Sequence, residues 1–450
     1  MAPDFKKLIP VYDIAMKLNE HIDVFIGEVL SRVLGYEILK MYRESGKQVP
    51  ELEVALHQVG SYPRLVIDAT ITYRSQVLAR RRFTTIPSPA GQAIIKQEDM
   101  KTRILITGAA GFIGHHVVEH ILKTTEWDIV VLDKLTYASN GLDRLRDIEA
   151  FDGKRVSMFT CDISEPIEEG LLSEIGQVDY ILHMAAESHV DNSIKDPRRF
   201  VKSNVMGTLE ILQLARSMSG LKKFIYFSTD EVFGPAPEGV FYKEWDRYAS
   251  GNPYSASKAG GEELALAFAN TYKLPVSITH TMNVFGERQH PEKFIPMCIK
   301  KILKGEKITI HANADKTKAG SRHWIHARNV ADAIMYLLNR PSTGQDADIT
   351  EGKMMVLPAQ KFNIVGEKEV DNLEMAQMIH EQLTKLGLTT GPLDYEMVDF
   401  HSSRPGHDLR YALDGKKMHT MGWRSPMGFE ECLAKTIQWT VSSENSRWLV

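Results

Sequence analysis

The chain has 450 residues and a formal charge of -4. That balance excludes the strongly basic character of a nucleic-acid binder or a polybasic membrane-surface protein, so small molecules are the expected partners. No stretch approaches twenty uninterrupted apolar residues and the N-terminus lacks the basic-then-apolar order of a secretion signal, so neither a membrane span nor export is expected. Cys161, Cys298 and Cys432 are far apart and make no metal-ligand spacing, which points to reduced thiols in a cytoplasmic protein without a metal site.

Residues 1–84 read as an N-terminal extension, mainly helical, of unknown role. Val11, Ile14, Leu18, Ile22, Phe25, Ile26, Val29 and Val33 recur at helical spacing. The apolar stretch at residues 65–73 fits a strand or a helix. Arg80, Arg81 and Arg82 form a short basic run of the kind usually found on a solvated face. Residues 85–100, with Pro87, Pro89 and Gly91, read as a linker.

From residue 101 the pattern becomes α/β. An apolar strand at residues 101–107 runs into Gly108, Gly111 and Gly114 and then a helical pattern. These glycines suit, in turn, a tight turn, close approach of backbone to a pyrophosphate, and close helix packing. Phe112 and Ile113 lie within the same turn and are grouped with its cofactor contacts. A second strand ends at Asp133, about twenty residues beyond the glycines, where ribose hydroxyls should lie. An acid there disfavours a 2'-phosphate, so NAD is expected over NADP, with the adjacent Lys134 pulling the other way. Asp162 and Ile163, then Ala185 and Ala186, follow the next strand ends and complete the candidate cofactor set. The fold expected is a Rossmann-type, doubly wound parallel sheet over residues 101–275, carrying the catalytic residues. A smaller C-terminal substrate lobe at 276–450 is interleaved with the end of the sheet.

The chemistry concentrates at residues 228–258. Thr229, Asp230 and Glu231 follow an aromatic-rich strand, and Tyr254 and Lys258 are one helical turn apart, on one face. A nearby ammonium favours the phenolate of a tyrosine, so Tyr254 is a candidate base toward a substrate hydroxyl, with Thr229 orienting or relaying the proton.

Together the glycine turn, Tyr254-Ser-Ala-Ser-Lys258 and the strand pattern resemble the extended short-chain dehydrogenase/reductases over residues 101–442. Three further motifs are similar to the dTDP-glucose 4,6-dehydratase family: Ser228-Thr-Asp-Glu-Val-Phe-Gly234, Arg288-Gln-His-Pro-Glu-Lys293, and the segment from Arg404 to Tyr411. The resemblance implies that Glu231 removes the C5 proton of a 4-keto sugar while Asp230 protonates the departing C6 hydroxyl. It also implies retained NAD and a homodimer assembled through two helices. Ser188, His189, Asn283, Lys293, Arg322, Asn329, Arg404 and His407 become the candidate substrate contacts, with Arg410 a further donor. Arg322 and Arg404 are favoured for the diphosphate, because guanidinium forks suit phosphate oxygens. Where the family has a tyrosine against the base, this chain has His311, which leaves thymidine or uridine open. A last amphipathic stretch at 428–441 should cover the substrate lobe. The competing readings are a nucleotide-sugar epimerase or decarboxylase on the same fold, which needs no acid pair, and a non-catalytic NAD-sensing protein.

Overall fold

A computed structural model describes residues 101–340, 359–399 and 409–449, two further strands at Ala347–Thr350 and Lys353–Val356, and four strands within residues 52–99. The chain divides into two compact units, Met1–Lys101 and Thr102–Val450.

In the first unit, Leu52–Gln58, Val66–Tyr73, Gln76–Pro87 and Ala93–Asp99 form an antiparallel sheet in chain order. This corrects the mainly helical expectation over 52–84; the helical pattern from Val11 onward lies outside the described residues. The alternating Val66-Ile-Asp-Ala-Thr-Ile-Thr-Tyr73 is rich in β-branched and aromatic side chains, which fit a pleated surface. Within the stretch expected to be a linker, Pro87 pairs with Ala93, so residues on either side of 88–92 belong to adjacent antiparallel strands.

The second unit is built on a seven-stranded sheet. Its strands are β1 (Arg103–Thr107), β2 (Asp128–Asp133), β3 (Val156–Thr160), β4 (Tyr180–His183), β5 (Lys223–Thr229), β6 (Val276–Thr281) and β7 (Gln360–Ile364). All pair in parallel, in the order β7-β6-β5-β4-β1-β2-β3. The order therefore reverses between β1 and β4, the crevice in which doubly wound sheets bind ligands.

Parallel strands are covered on both faces, and the sequence alternates accordingly. Ile104, Ile106, Ile129 and Val131 pack on one side with helices α1 (Phe112–Thr124) and α5 (Ala327–Leu338). Leu105, Val130, Leu132, Phe224 and Tyr226 pack on the other with α2 (Gly207–Ser217) and α3 (Pro253–Tyr272). A separate core lies in the C-terminal part of the unit, where Cys298, Ile299, Ile379 and Leu433 join α4 (Phe294–Lys304), α6 (Asn372–Lys385) and α7 (Phe429–Val441). The stretch expected to be helical at 428–441 is thus α7. Among the described residues no helix is long and apolar enough to cross a membrane.

Candidate active site

The cofactor end is shaped by what glycine lacks. Gly108 sits at φ +74°, and a Cβ there would meet the Ala185 backbone at 2.7 Å. A Cβ on Gly114 would meet Gly108 O at 2.5 Å, so α1 crosses the turn at backbone contact distance. At Gly111 the only close atom is Gly108 O, at 3.0 Å, which leaves that side open to a ligand. Gly111 is also the N-cap of α1 and supplies no side-chain cap, so the helix presents free N–H groups to an anion. These features fit a dinucleotide pyrophosphate. Gly114→Ala, which must displace backbone, is expected to cost about 2–4 kcal/mol and to release NAD, checked by urea melts and the nicotinamide content of the purified protein.

Asp133 ends β2 almost fully buried. Its carboxylate accepts from Ala110 N at 3.0 Å and Leu135 N at 2.8 Å, so it braces the glycine turn. Burial pushes its pKa up from the ordinary carboxylate value. Lys134 forms an ion pair with Asp162, whose other oxygen accepts from Ser164. Burial of Asp162 is outweighed by these bonds, which hold it at about 2. The lysine that weakened the preference for NAD is therefore engaged elsewhere. Ile163 is buried and lies where a Cβ on Gly207 would touch it; Ala185 backs the glycine turn, and Ala186 and Ser188 are exposed.

The catalytic end lies at the tip of β5. Thr229 caps the short helical turn Asp230–Phe233 and donates to Asp230 Oδ1 at 3.0 Å. Asp230 is 6 % exposed, and its Oδ2 is buried without a hydrogen-bond partner. Burial and then the charge of Glu231 push its carboxyl up to about 7, against the pull of Arg322 and Thr229. Glu231 is half-buried, and its Oε2 accepts from Asn252 Nδ2 at 3.1 Å. Two adjacent acids thus sit in different surroundings, the condition for one to hold a proton that the other has given up.

Tyr254 and Lys258 lie in the first turns of α3, whose start is fixed by a reciprocal capping box between Asn252 and Ser255 with Pro253 at the first position. The Lys258 ammonium donates to Phe227 O at 2.7 Å and lies 4.3 Å from the Tyr226 ring centroid. Burial brings it down to about 7, opposed by Glu262. Tyr254 is pushed up by burial and by the charge of Glu231, with Thr229 opposing. The lowered phenol pKa expected from Lys258 is therefore not found in the protein alone, where burial is the largest influence.

The expected substrate residues divide. Arg322 donates to Ser321 O and Leu409 O, lies 4.7 Å over the Tyr411 ring and acts electrostatically on Asp230. His189 caps the helix Val190–Lys195 and faces Glu292, beside Lys293 at the N-cap of α4. Asn283 opens a short strand paired with Ser321–His326. Asn329 is buried in α5, where its amide donates to Met427 O at 2.8 Å. Arg410 is committed to Glu369 at 2.7 and 3.0 Å and to the Pro237 and Val240 carbonyls. Arg404 and His407 lie outside the described residues.

Three residues escaped the sequence reading. Asn252 both caps α3 and holds Glu231; its capping position before Pro253 was the available signal. Asn252→Ala is expected to cost about 1 kcal/mol of stability through the cap and to lower turnover further than that loss alone, checked by melts alongside kinetics. Asn204 lies in a π-helical turn, Lys202–Met206, a feature that clusters at functional sites. It bonds Glu187 N, Glu187 O and Ser257 Oγ, joining the cofactor loop to α3. Buried Arg144 donates to the carbonyls of Ala110, Ala138 and Arg288, and nothing in its local sequence marks it.

The family model described as GDP-mannose 4,6 dehydratase matches residues 105–436. The chain is 36% identical over 365 residues to the dTDP-glucose 4,6-dehydratase of Salmonella typhimurium, covering 77% of this chain and 94% of the relative. The crystal structure of the dTDP-glucose 4,6-dehydratase of Streptomyces venezuelae, with NAD and TYD bound, superposes with a TM-score of 0.63 at 33% identity, covering 77% of this chain and 98% of that one. A Thermus thermophilus UDP-glucose 4-epimerase in complex with NAD gives a TM-score of 0.61 at 26% identity, over 75% of this chain and 98% of that one. With its glycine turn, strand-end acids and helix-borne Tyr254 and Lys258, the chain belongs to the nucleotide-sugar 4,6-dehydratase family.

Proposed function

We propose that the protein dehydrates a nucleoside-diphosphate hexose of the dTDP-glucose or UDP-glucose type to the 4-keto-6-deoxy sugar, using tightly held NAD. The observation that carries this reading is the pairing of buried Asp230, raised to about 7, with the better-solvated Glu231. An epimerase or decarboxylase on the same fold has no step that needs both an acid and a base beside C5 and C6.

NAD, when bound, accepts a hydride from the sugar and gives it back within one turnover. Gly108, Gly111, Gly114 and Asp133 would hold it, with Asp162, Ile163, Ala185 and Ala186 beside them. Tyr254 takes the proton of the C4 hydroxyl, and Thr229, at the tip of β5, orients that proton. Lys258 favours the phenolate electrostatically. Oxidation at C4 acidifies the C5 proton, which Glu231 removes from the position fixed by Asn252. Asp230 then delivers its proton to the C6 hydroxyl, which leaves as water. Arg322 places a guanidinium near the acid pair and is the candidate ligand of the diphosphate.

Three free thiols and a dinucleotide cofactor suit a cytoplasmic enzyme. A homodimer is supported by Ile194, Val201 and Met206, which are exposed apolar side chains on the successive helical turns 190–206. Val201→Glu with Met206→Glu is expected to convert a dimer to a monomer in analytical ultracentrifugation.

The test of the proposal is incubation of the purified protein with dTDP-glucose, UDP-glucose, UDP-N-acetylglucosamine and GDP-mannose, followed by mass spectrometry. Loss of one water from a glucose nucleotide is the expected result, and the better substrate reads out the base that His311 accepts. Products of unchanged mass would replace the reading with an epimerase, and loss of carbon dioxide from UDP-glucuronic acid, added to the panel, with a decarboxylase. No turnover despite bound NAD would leave a sensor.

A further inference from the structure

Behind Tyr254 and Lys258 lies a second group of ionisable side chains that the mechanism above does not use. Glu262, one turn beyond Lys258 on α3, is fully buried. Its Oε1 accepts from Ser228 Oγ, the residue preceding Thr229 on β5. Its Oε2 accepts from Tyr248 OH and faces His280 Nε2 of β6 at 3.1 Å and Lys361 Nζ of β7 at 3.6 Å. Lys361, itself 3 % exposed, donates to Tyr248 OH, and His280 Nδ1 lies 3.0 Å from Asn363 Oδ1. Four donors or cations, from three strands and the loop before α3, thus converge on one carboxylate in the interior.

A buried carboxylate is costly to ionise unless it is paired and hydrogen-bonded, and this one is saturated. Its partners hold it at about 2, burial notwithstanding, so it stays charged at any working pH. Lys258 is faced by His183 of β4, Tyr226 of β5 and Glu262. His183 is drawn down to about 3 by burial and is neutral, which leaves Glu262 as the anion that opposes the desolvation of Lys258.

We propose that Glu262 is a positioning residue for this reaction, keeping Lys258 charged and locking α3 against the tip of β5 through a buried cluster with Ser228, Tyr248, His280 and Lys361. The bond to Ser228 fixes the register between the helix that carries Tyr254 and the strand that carries Thr229 and Asp230. The charge sets whether Lys258 is an ammonium when C4 is oxidised. Lys361 works against that charge, because its ammonium beside Glu262 neutralises part of the carboxylate; Glu263 acts on both Lys361 and Tyr248.

This inference rests on the proposed roles of Tyr254 and Lys258, and opposite charge changes test it. The titration midpoint of Lys258 is read by NMR of lysine labelled at Cε, assigned with Lys258→Met. The rate of C4 oxidation is followed in single turnovers in an Asp230→Asn background, where Asp230 no longer titrates. Glu262→Gln should move the Lys258 midpoint down by about one unit or more and slow C4 oxidation several-fold at neutral pH, with little change in KM. Lys361→Met should move the midpoint up. Tyr248→Phe, which keeps both charges, should leave it in place while lowering the melting temperature. A Glu262→Gln titration superimposable on wild type, or a Lys361→Met shift that is downward or nil, would reduce the cluster to a packing element. If Glu262→Gln does not fold, Lys361→Met decides alone. Failure of the wild type to oxidise any nucleotide hexose would count against the proposed function instead, because the NMR midpoints are read without turnover.

Discussion

Glu231→Gln should leave the enzyme able to oxidise C4 and unable to finish. The substitution keeps the volume and one acceptor for Asn252 Nδ2, which now bonds Glu231 at 3.1 Å, and removes the base beside C5. General-base catalysis contributes roughly a hundred- to ten-thousandfold, so product formation should fall by that range. A reduced-nicotinamide absorbance should then accumulate on mixing with substrate, since the hydride has left C4 and nothing in the product chain takes it back. The oxidation phase should also change its pH dependence. The charge of Glu231 raises both Asp230 and Tyr254, and its removal lets each ionise at lower pH. An unaffected rate of product formation would move the base to another residue.

Asp230→Asn should separate activity from stability in the opposite sense to most buried substitutions. The carboxyl is raised from an ordinary value near 3.8 to about 7 in the folded protein. The folded state therefore holds this proton more tightly than the unfolded chain. The resulting stabilisation is full below pH 4 and is lost as the pH rises through about 7. At pH 8 the ionised, buried group costs on the order of 2–4 kcal/mol. Asparagine resembles the protonated acid and carries no such cost. The variant should match wild type in urea melts at pH 4, exceed it at pH 8, and lose the elimination step at both. Wild-type kcat/KM should likewise fall as the pH rises above about 7, as the acid gives up its proton. A wild-type stability that increases from pH 4 to pH 8, set against a flat variant, would contradict the burial of this group.

The parts of the architecture written in short-range patterns were readable in advance. Residues 103–107 alternate between the two faces of a covered sheet, Gly108 and Gly114 occupy positions where a Cβ would strike backbone, and Gly111 leaves one side open. Asp133 is at the strand end that its spacing implied, although it braces the Ala110 amide as well as facing the crevice. The stretch at 85–100 shows the limit of the same method. Proline and glycine announce that regular structure stops, but not that Pro87 and Ala93 pair in adjacent strands, which only the pairing partners reveal.

The supports of the site were hidden because their contacts are distant in sequence. Arg144 reaches Arg288 O across 144 residues, Asn204 reaches Ser257 across 53, and Lys361 meets Tyr248 across 113. Each is an ordinary polar residue until the sheet closes around it. Conversely, Arg410 is one of the scattered candidate donors for the substrate, yet its fork is spent on Glu369 and three carbonyls. Type and spacing name the candidates for a charge, and the fold decides which partner receives it.

The central claim is that one hydride leaves C4 and returns to C6 of the same sugar, with Asp230 and Glu231 expelling water in between. Conversion of dTDP-glucose or UDP-glucose carrying deuterium at C4, with the product examined by proton NMR and mass spectrometry, tests it most directly. The predicted result is a product lighter by one water with the deuterium at C6. Deuterium returned to C4 without loss of water, or washed out into solvent, would contradict it.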